Sequence, residues 1–317
     1  MSFDRLIEKI AEKQNPTVVG LDPKLSFIPA YIKEKAFSEY GSGFSGAAAA
    51  ILEYNCGIID AIADIVPAVK PQAAYYEMYG WQGVKTLAQT IEYAKNKGLY
   101  VILDGKRNDI GTTVEAYGSA YLGKTELGDG HKESAFGADS LTINGYLGTD
   151  GIKPLLDICL EEDKGIIVLV KTSNPSSGEM QDMILETGKT VYHTMAEMAE
   201  NWGSSLPGKY QYSGVGAVVG ATYPEQLQEL RENFPNTFFL VPGYGAQGGT
   251  AADIVPGFDK NGLGAIINSS RAVLCAWQKE NCPEEDYANA SRREALRMKE
   301  EILSQIGEIQ LSVNRKV

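Results

Sequence analysis

The sequence predicts an α/β protein of the (β/α)8 or TIM-barrel class, a parallel eight-stranded barrel with elaborated loops. Three observations lead there. Eight short apolar runs rich in β-branched residues recur along the chain, as buried parallel strands require. Helix-like segments separate them, which is the alternation of a β/α fold; a doubly wound sheet is the main competitor. Polar or charged residues then recur at the C-terminal ends of the runs, where a barrel of this class gathers its active site.

The first run is TVVGLD (17–22), ending on Asp22, and the second is VPAVKP (66–71), with Lys70 near its end. Between them GAAAAILEYNCGIIDAIADI has helical character, inside an extended connection spanning 23–65. The third run, YVILDGK (100–106), carries Asp104 and Lys106 and follows the helix-like WQGVKTLAQTIEYAKNKG. After a Gly-rich connection (118–138) come SLTIN (140–144) and GIIVLVKTS (165–173), the latter ending in Thr172 and Ser173. A long connection (174–214), including TVYHTMAEMAENWG, leads to VGAVVGAT (215–222). YPEQLQELRENF then separates it from TFFLVPG (237–243). The last run, GAIINSS (264–270), stops at Ser270 and Arg271, and PEEDYANASRREALRMKEEILSQIG reads as a closing helix with a solvated charged face. There is no internal repeat, long linker or low-complexity tract, so 1–317 is expected to be a single barrel domain.

Composition narrows the function. Of 317 residues, 44% are hydrophobic and 22% charged, as in an ordinary folded protein. A formal net charge of -12 argues against a nucleic-acid or anionic-membrane binder, because such partners are gathered by basic fields. An anionic ligand would need a local basic pocket. Cys56, Cys159, Cys275 and Cys282 lack CxxC or zinc-ligand spacing, which fits a reducing, cytoplasmic compartment. The opening MSFDRLIEKIAEKQN is amphipathic and charged, without the apolar core of a signal peptide, and no apolar run approaches membrane-spanning length.

The stretch LDGKRNDIGTT (103–113) concentrates the chemistry. Asp104 and Lys106 are two apart, so in an extended strand they share a face while Gly105 points away. A structural ion pair would satisfy the same pattern, since buried charges are tolerated when paired. With Lys70 on the neighbouring strand, however, the charges form an alternating network able to keep lysines cationic and carboxylates ionised. Asp109 lies beyond the strand, in a turn or in a site. Thr112 with Glu115 matches a capping box, and capping is the expected role of Thr112. Arg107 is expected to be a solvated surface charge.

The segment VPGYGAQGGT places Gly243, Gly245, Gly248 and Gly249 around Gln247 after the seventh run, and NSSRAV places Ser270 and Arg271 after the eighth. Barrels of this class frequently hold phosphate between these two loops, with backbone N–H donors; glycines alone would equally serve turns. KTSNPSSGEMQD (171–182) is small, polar and hydroxyl-rich, suited to an exposed connection or to a lid that brings Ser173 to a ligand. His131 and His193 lie away from strand ends and read as structural or surface residues.

Six segments in this order resemble the orotidine 5'-phosphate decarboxylase family, most of all its longer bacterial subgroup: VVGLDP, AVKPQAAYYE, LDGKRNDIGTT, KTSNPSS, VPGYGAQGG and NSSR. The resemblance implies conversion of orotidine 5'-monophosphate to UMP and CO2 in pyrimidine biosynthesis. It implies that Lys106 protonates a C6 carbanion and that Asp104 lies beside the substrate carboxylate. Lys70 and Asp22 would contact the ribose, Ser173 the pyrimidine, and Gln247, Arg271, Gly248 and Ser270 the phosphate end. Asp109 and Thr113 would enter the neighbouring subunit's site, which makes a homodimer the expected assembly. The scheme requires no metal or organic cofactor. Gly105 and Asn108 depart from the Ala and Gly of related motifs, which bears on local backbone detail. D-x-K-x-x-D also recurs in metal-assisted sugar-phosphate decarboxylases and aldolases, so that class and a non-catalytic phosphate-binding barrel are the alternatives. A Schiff-base aldolase would need a neutral lysine, which the carboxylates disfavour.

Overall fold

The computed structural model describes residues 1–245 and 248–311. Its barrel strands are β1 (Thr17–Leu21), β2 (Ala68–Pro71), β3 (Tyr100–Arg107), β6 (Ser140–Ile143), β7 (Gly165–Lys171), β8 (Val215–Val219), β9 (Phe238–Val241) and β10 (Ala265–Ser269); β4 (Thr125–Gly128) and β5 (His131–Glu133) form a separate antiparallel hairpin. The eight barrel strands pair in parallel in the closed order β1-β10-β9-β8-β7-β6-β3-β2. All eight apolar runs therefore became barrel strands, with ends shifted by up to a few residues. Closure joins Thr17 to Ile267, and the β1–β2 register sets Gly20 beside Lys70.

The hairpin lies in the Gly-rich connection and was not expected from the sequence. Every residue of its two strands is exposed, so no apolar alternation announced it. The connection 23–65 is largely helical, Ala30–Tyr40 followed by Phe44–Ile62. The tail forms the expected helix, Tyr287–Ile306, though its charges are not all solvated: Arg297 donates to both carboxylate oxygens of Glu294, itself buried.

Helix Ser2–Lys13 closes one end of the barrel. Phe3, Leu6, Ile7 and Ile10 recur at helical spacing and are fully buried, packed with Val18, Ile102, Ile167, Phe238 and Ile266 of the strands. Each such side chain contributes about 1.5–3 kcal/mol of gross apolar burial. The opposite end, at the C-terminal edges of the strands, stays polar. No helix among the described residues is long and apolar enough to cross a membrane.

Candidate active site

The polar strand ends surround a cavity of about 690 Å³, lined by Asp22, Lys70, Asp104, Lys106, Thr172, Ser173, Ser270 and Arg271 among others. Six of the eight barrel strands deliver a polar residue to the cavity at or just beyond their ends, while β8 and β9 present Val218 and Leu240, so closure brings together groups far apart in sequence.

Asp104 is the centre of the charged network. Its Oδ2 accepts from Lys70 Nζ at 2.8 Å and Gln72 Nε2 at 3.0 Å, and its Oδ1 from Lys106 Nζ at 2.6 Å and Thr142 Oγ1 at 2.8 Å. Burial of Asp104 opposes ionisation, but the two ammonium groups outweigh it and hold the carboxyl well below the usual range. Burial likewise disfavours charge on Lys70, yet Asp104 and then Asp22 raise its pKa above the ordinary lysine value. Lys70 is thus a fixed cation, 3% exposed, while Lys106 reaches the cavity with its side chain 46% exposed.

Lys106 meets Asp104, although not through the regular alternation expected. The β3–β6 register shifts between Leu103 and Arg107, and Lys106 adopts φ +47°. This left-handed conformation is uncommon for a residue with a Cβ and costs roughly 1–2 kcal/mol. A hydrogen bond from Lys106 N–H to Thr142 Oγ1, at 3.0 Å, helps to hold it. Thr142 therefore contacts both the Lys106 backbone and the Asp104 carboxylate.

Asp109 and Thr113 are not among the residues lining their own chain's cavity. Asp109 Oδ1 accepts from the backbone N–H of Ile110, and Thr113 is exposed. Thr112 is not a cap: helix Gly111–Tyr121 starts one residue earlier, its N-cap is Ile110, and no side chain caps it. The expectation for Arg107 is also corrected. Its guanidinium is partly buried, bonded to Glu77, Tyr121 and the Gly105 carbonyl.

Asp22 Oδ1 and Asn268 Oδ1 are buried oxygens without a hydrogen-bond partner, and both residues line the cavity. Unpaired buried acceptors are costly, so donors on a ligand suit them. Gly20 permits the close approach here: a Cβ on it would stand 1.9 Å from Ser270 Oγ. Ser270 and Arg271 sit at the junction of β10 and helix Arg271–Leu274. Gly243 lines the cavity with φ +99°, which a side chain would strain. Gly248 is not a lining residue, and its N–H goes to the Gly245 carbonyl at 3.0 Å. Gln247 lies outside the described residues.

The loop after β7 covers one side. Thr172, Ser173, Asn174 and Gln181 line the cavity, and Gln181 both accepts from Thr172 N–H at 2.9 Å and donates to Thr172 Oγ1 at 2.8 Å. Lys171, fully buried, donates to Ser177 Oγ at 3.2 Å and Asp182 Oδ1 at 2.7 Å, with its ammonium 4.2 Å from the Tyr223 ring centroid. His193 pairs with Glu229 on the outer helices, and His131 is exposed on the hairpin, as expected for residues away from the chemistry. Gln72, Thr142, Gln181 and Asn268 went unrecognised in the sequence; positions at or near strand ends could have drawn attention to Gln72, Thr142 and Asn268, whereas Gln181 ends a short helix ten residues beyond β7 and carries no such signal.

Fold and cavity together define a (β/α)8-barrel enzyme whose cavity is lined by a lysine–carboxylate network and by an arginine. Residues 17–281 match the family described as orotidine 5'-phosphate decarboxylase / HUMPS, and the chain belongs to that family. It is 44% identical over 290 residues to the orotidine 5'-phosphate decarboxylase of Rhodopirellula baltica, covering 90% of this chain and 93% of the relative. It is 43% identical over 299 residues to that of Caldicellulosiruptor bescii, covering 94% and 97%. The solved structure of Leishmania donovani OMP decarboxylase superposes with TM-score 0.68 at 30% identity, covering 92% of this chain and 98% of that one.

Proposed function

We propose that this chain decarboxylates orotidine 5'-monophosphate to UMP and CO2, the step that completes UMP in pyrimidine biosynthesis. The observation that carries the reading is the Lys70–Asp104–Lys106 network: a fixed carboxylate between two lysines, one buried and one reaching the cavity.

The bond between C6 and the carboxylate breaks, CO2 leaves, and the electron pair remains on C6 in the plane of the ring. The π-system cannot spread that charge, so it has to be stabilised electrostatically and then protonated. The Lys106 ammonium does both: it faces the developing charge, gives its proton to C6, and is reprotonated from solvent. Asp104 aims it, and Lys70 balances Asp104. A nucleophilic role for Lys70 is disfavoured, because its pKa lies above the ordinary lysine value.

The remaining roles are those the family resemblance implies. Asp22 accepts from ribose hydroxyls, Ser173 meets the pyrimidine from the loop, and Arg271 with Ser270, the Gly248 loop and Gln247 holds the phosphate. One ammonium at 4 Å supplies about 4 kcal/mol at an effective dielectric near 20, whereas enzymes commonly lower barriers by roughly 8–23 kcal/mol. Binding energy from the phosphate end has to make up part of the difference by organising the reacting end. Asp109 and Thr113, outside their own cavity, are assigned to the partner's site in a cytoplasmic homodimer. Adding orotidine 5'-monophosphate to purified protein tests the function: orotate absorbance should fall as UMP appears, and absence of turnover overturns it.

A further inference from the structure

Arg107 directly follows Lys106, yet it does not line the cavity, and the mechanism above leaves it without a part. Its Nε and Nη2 donate to Tyr121 Oη at 3.1 and 2.9 Å, Nη1 donates to the Gly105 carbonyl at 3.1 Å, and Nη2 also meets Glu77 Oε1. The guanidinium carbon lies 5.2 Å from the Tyr121 ring centroid and 5.9 Å from that of Tyr117, whose rings stack on helix Gly111–Tyr121. Phe136, from the connection beyond the hairpin, packs against Tyr121 with centroids 5.0 Å apart.

These contacts converge on one peptide unit. The Gly105 carbonyl and the Lys106 N–H belong to the same planar group. Arg107 holds its oxygen and Thr142 Oγ1 holds its N–H, so the plane that sets the left-handed turn at Lys106 is fixed at both ends. Gly105 suits this arrangement: a Cβ there would stand 3.1 Å from Leu141 Cδ1 and 3.5 Å from Arg107 Cγ. Glu77 ends a short helix only a few residues beyond Lys70 and Gln72, both donors to Asp104. The fork therefore links the segment bearing Lys70, the turn bearing Lys106 and the helix that comes after Asp109.

Building on the decarboxylase reading, we propose that Arg107 is a positioning residue for the reaction, holding the Gly105–Lys106 peptide so that the Lys106 ammonium is aimed at C6. The role requires the planar fork. A lysine would keep the charge but cannot make the same set of hydrogen bonds at once.

The test compares full-length wild type with Arg107→Lys and Arg107→Ala, each assayed well below its own Tm, together with calorimetric binding of UMP. Misplacing a reacting group by about 1 Å costs on the order of 10²-fold, so kcat should fall about 10²-fold in both variants. KM and UMP affinity should change little, because the ribose and phosphate contacts remain. Added guanidinium should restore part of the turnover of Arg107→Ala. Arg107→Lys with wild-type kcat overturns the proposal, as does an equal loss of kcat and UMP affinity, the mark of a general structural role. If neither variant folds, Tyr121→Phe removes one partner and keeps the cation; it should lower kcat about 2- to 10-fold, and an unchanged kcat overturns the proposal. A wild type inactive on orotidine 5'-monophosphate sinks both readings; an active wild type with a fully active Arg107→Lys sinks only this one.

Discussion

Lys70 donates to Asp104 across 2.8 Å at the barrel mouth, with side chains only 4% and 10% exposed. Two charges removed from water this far persist only if each answers the other, so the pair ties activity to stability. The folded pKa of Asp104 is depressed, so its contribution is fully present above the unfolded value near 3.9 and is lost as pH falls towards the folded one. The folded pKa of Lys70 is raised, so its contribution is present below the unfolded value near 10.4 and is lost as pH rises through the folded one. Between those limits Asp104→Asn should cost about 3–5 kcal/mol. Urea unfolding at pH 7 and pH 3 should show that deficit narrowing by about 1 kcal/mol in acid. A deficit independent of pH would refute the assignment.

Lys106 is less tightly held. Lys106→Ala removes the proposed proton donor, while Lys70, Gln72 and Thr142 still satisfy Asp104. Losing about 4 kcal/mol of charge stabilisation corresponds to roughly 10³-fold in kcat, a lower bound because protonation is lost as well. The unfolding midpoint should barely move. A variant that keeps more than a tenth of wild-type turnover would exclude Lys106 as the donor.

Much of this was legible in the sequence. Asp22, Lys70, Asp104, Ser270 and Arg271 stand out because each interrupts or ends an apolar run, and barrel closure then places them around one cavity. What stayed hidden depended on backbone detail or on distant partners. The period-two rule presumes an extended strand, whereas a register shift and a positive φ deliver Lys106 to Asp104. Thr112 and Glu115 have capping-box spacing, but spacing alone does not say that the helix begins at Gly111. The side chains to which Arg107 donates lie 30 and 14 positions away, beyond any local pattern.

The phosphate end should be separable from the chemical end. Arg271→Ala removes the proposed charge-assisted contact to the phosphate, worth about 1.5–3 kcal/mol, so kcat/KM for orotidine 5'-monophosphate should fall roughly 10- to 150-fold. Orotidine, which lacks the phosphate, should react slowly with both proteins and at nearly the same rate. An Arg271 variant that loses as much on orotidine as on its phosphate would place Arg271 elsewhere in the mechanism.

Asp109 allows a test of the assembly. Lys106→Ala and Asp109→Ala proteins, each inactive, should regain activity when mixed under conditions that permit subunit exchange. In a two-fold dimer one site of each mixed pair recovers both side chains, so equal mixing should restore about a quarter of wild-type activity. No recovery, with exchange verified independently, would assign Asp109 to its own chain.

Closure of the barrel also sets the order in which the molecule can be made. Thr17 pairs with Ile267, so β1 has no β10 to pair with until about 250 further residues have been synthesised. At about 5–20 residues per second that interval is roughly 12–50 s, during which one edge of the nascent sheet remains open. Strand edges of this kind invite pairing with other chains. The ring that assembles the cavity thus makes the emerging chain dependent on protection until its last strand arrives.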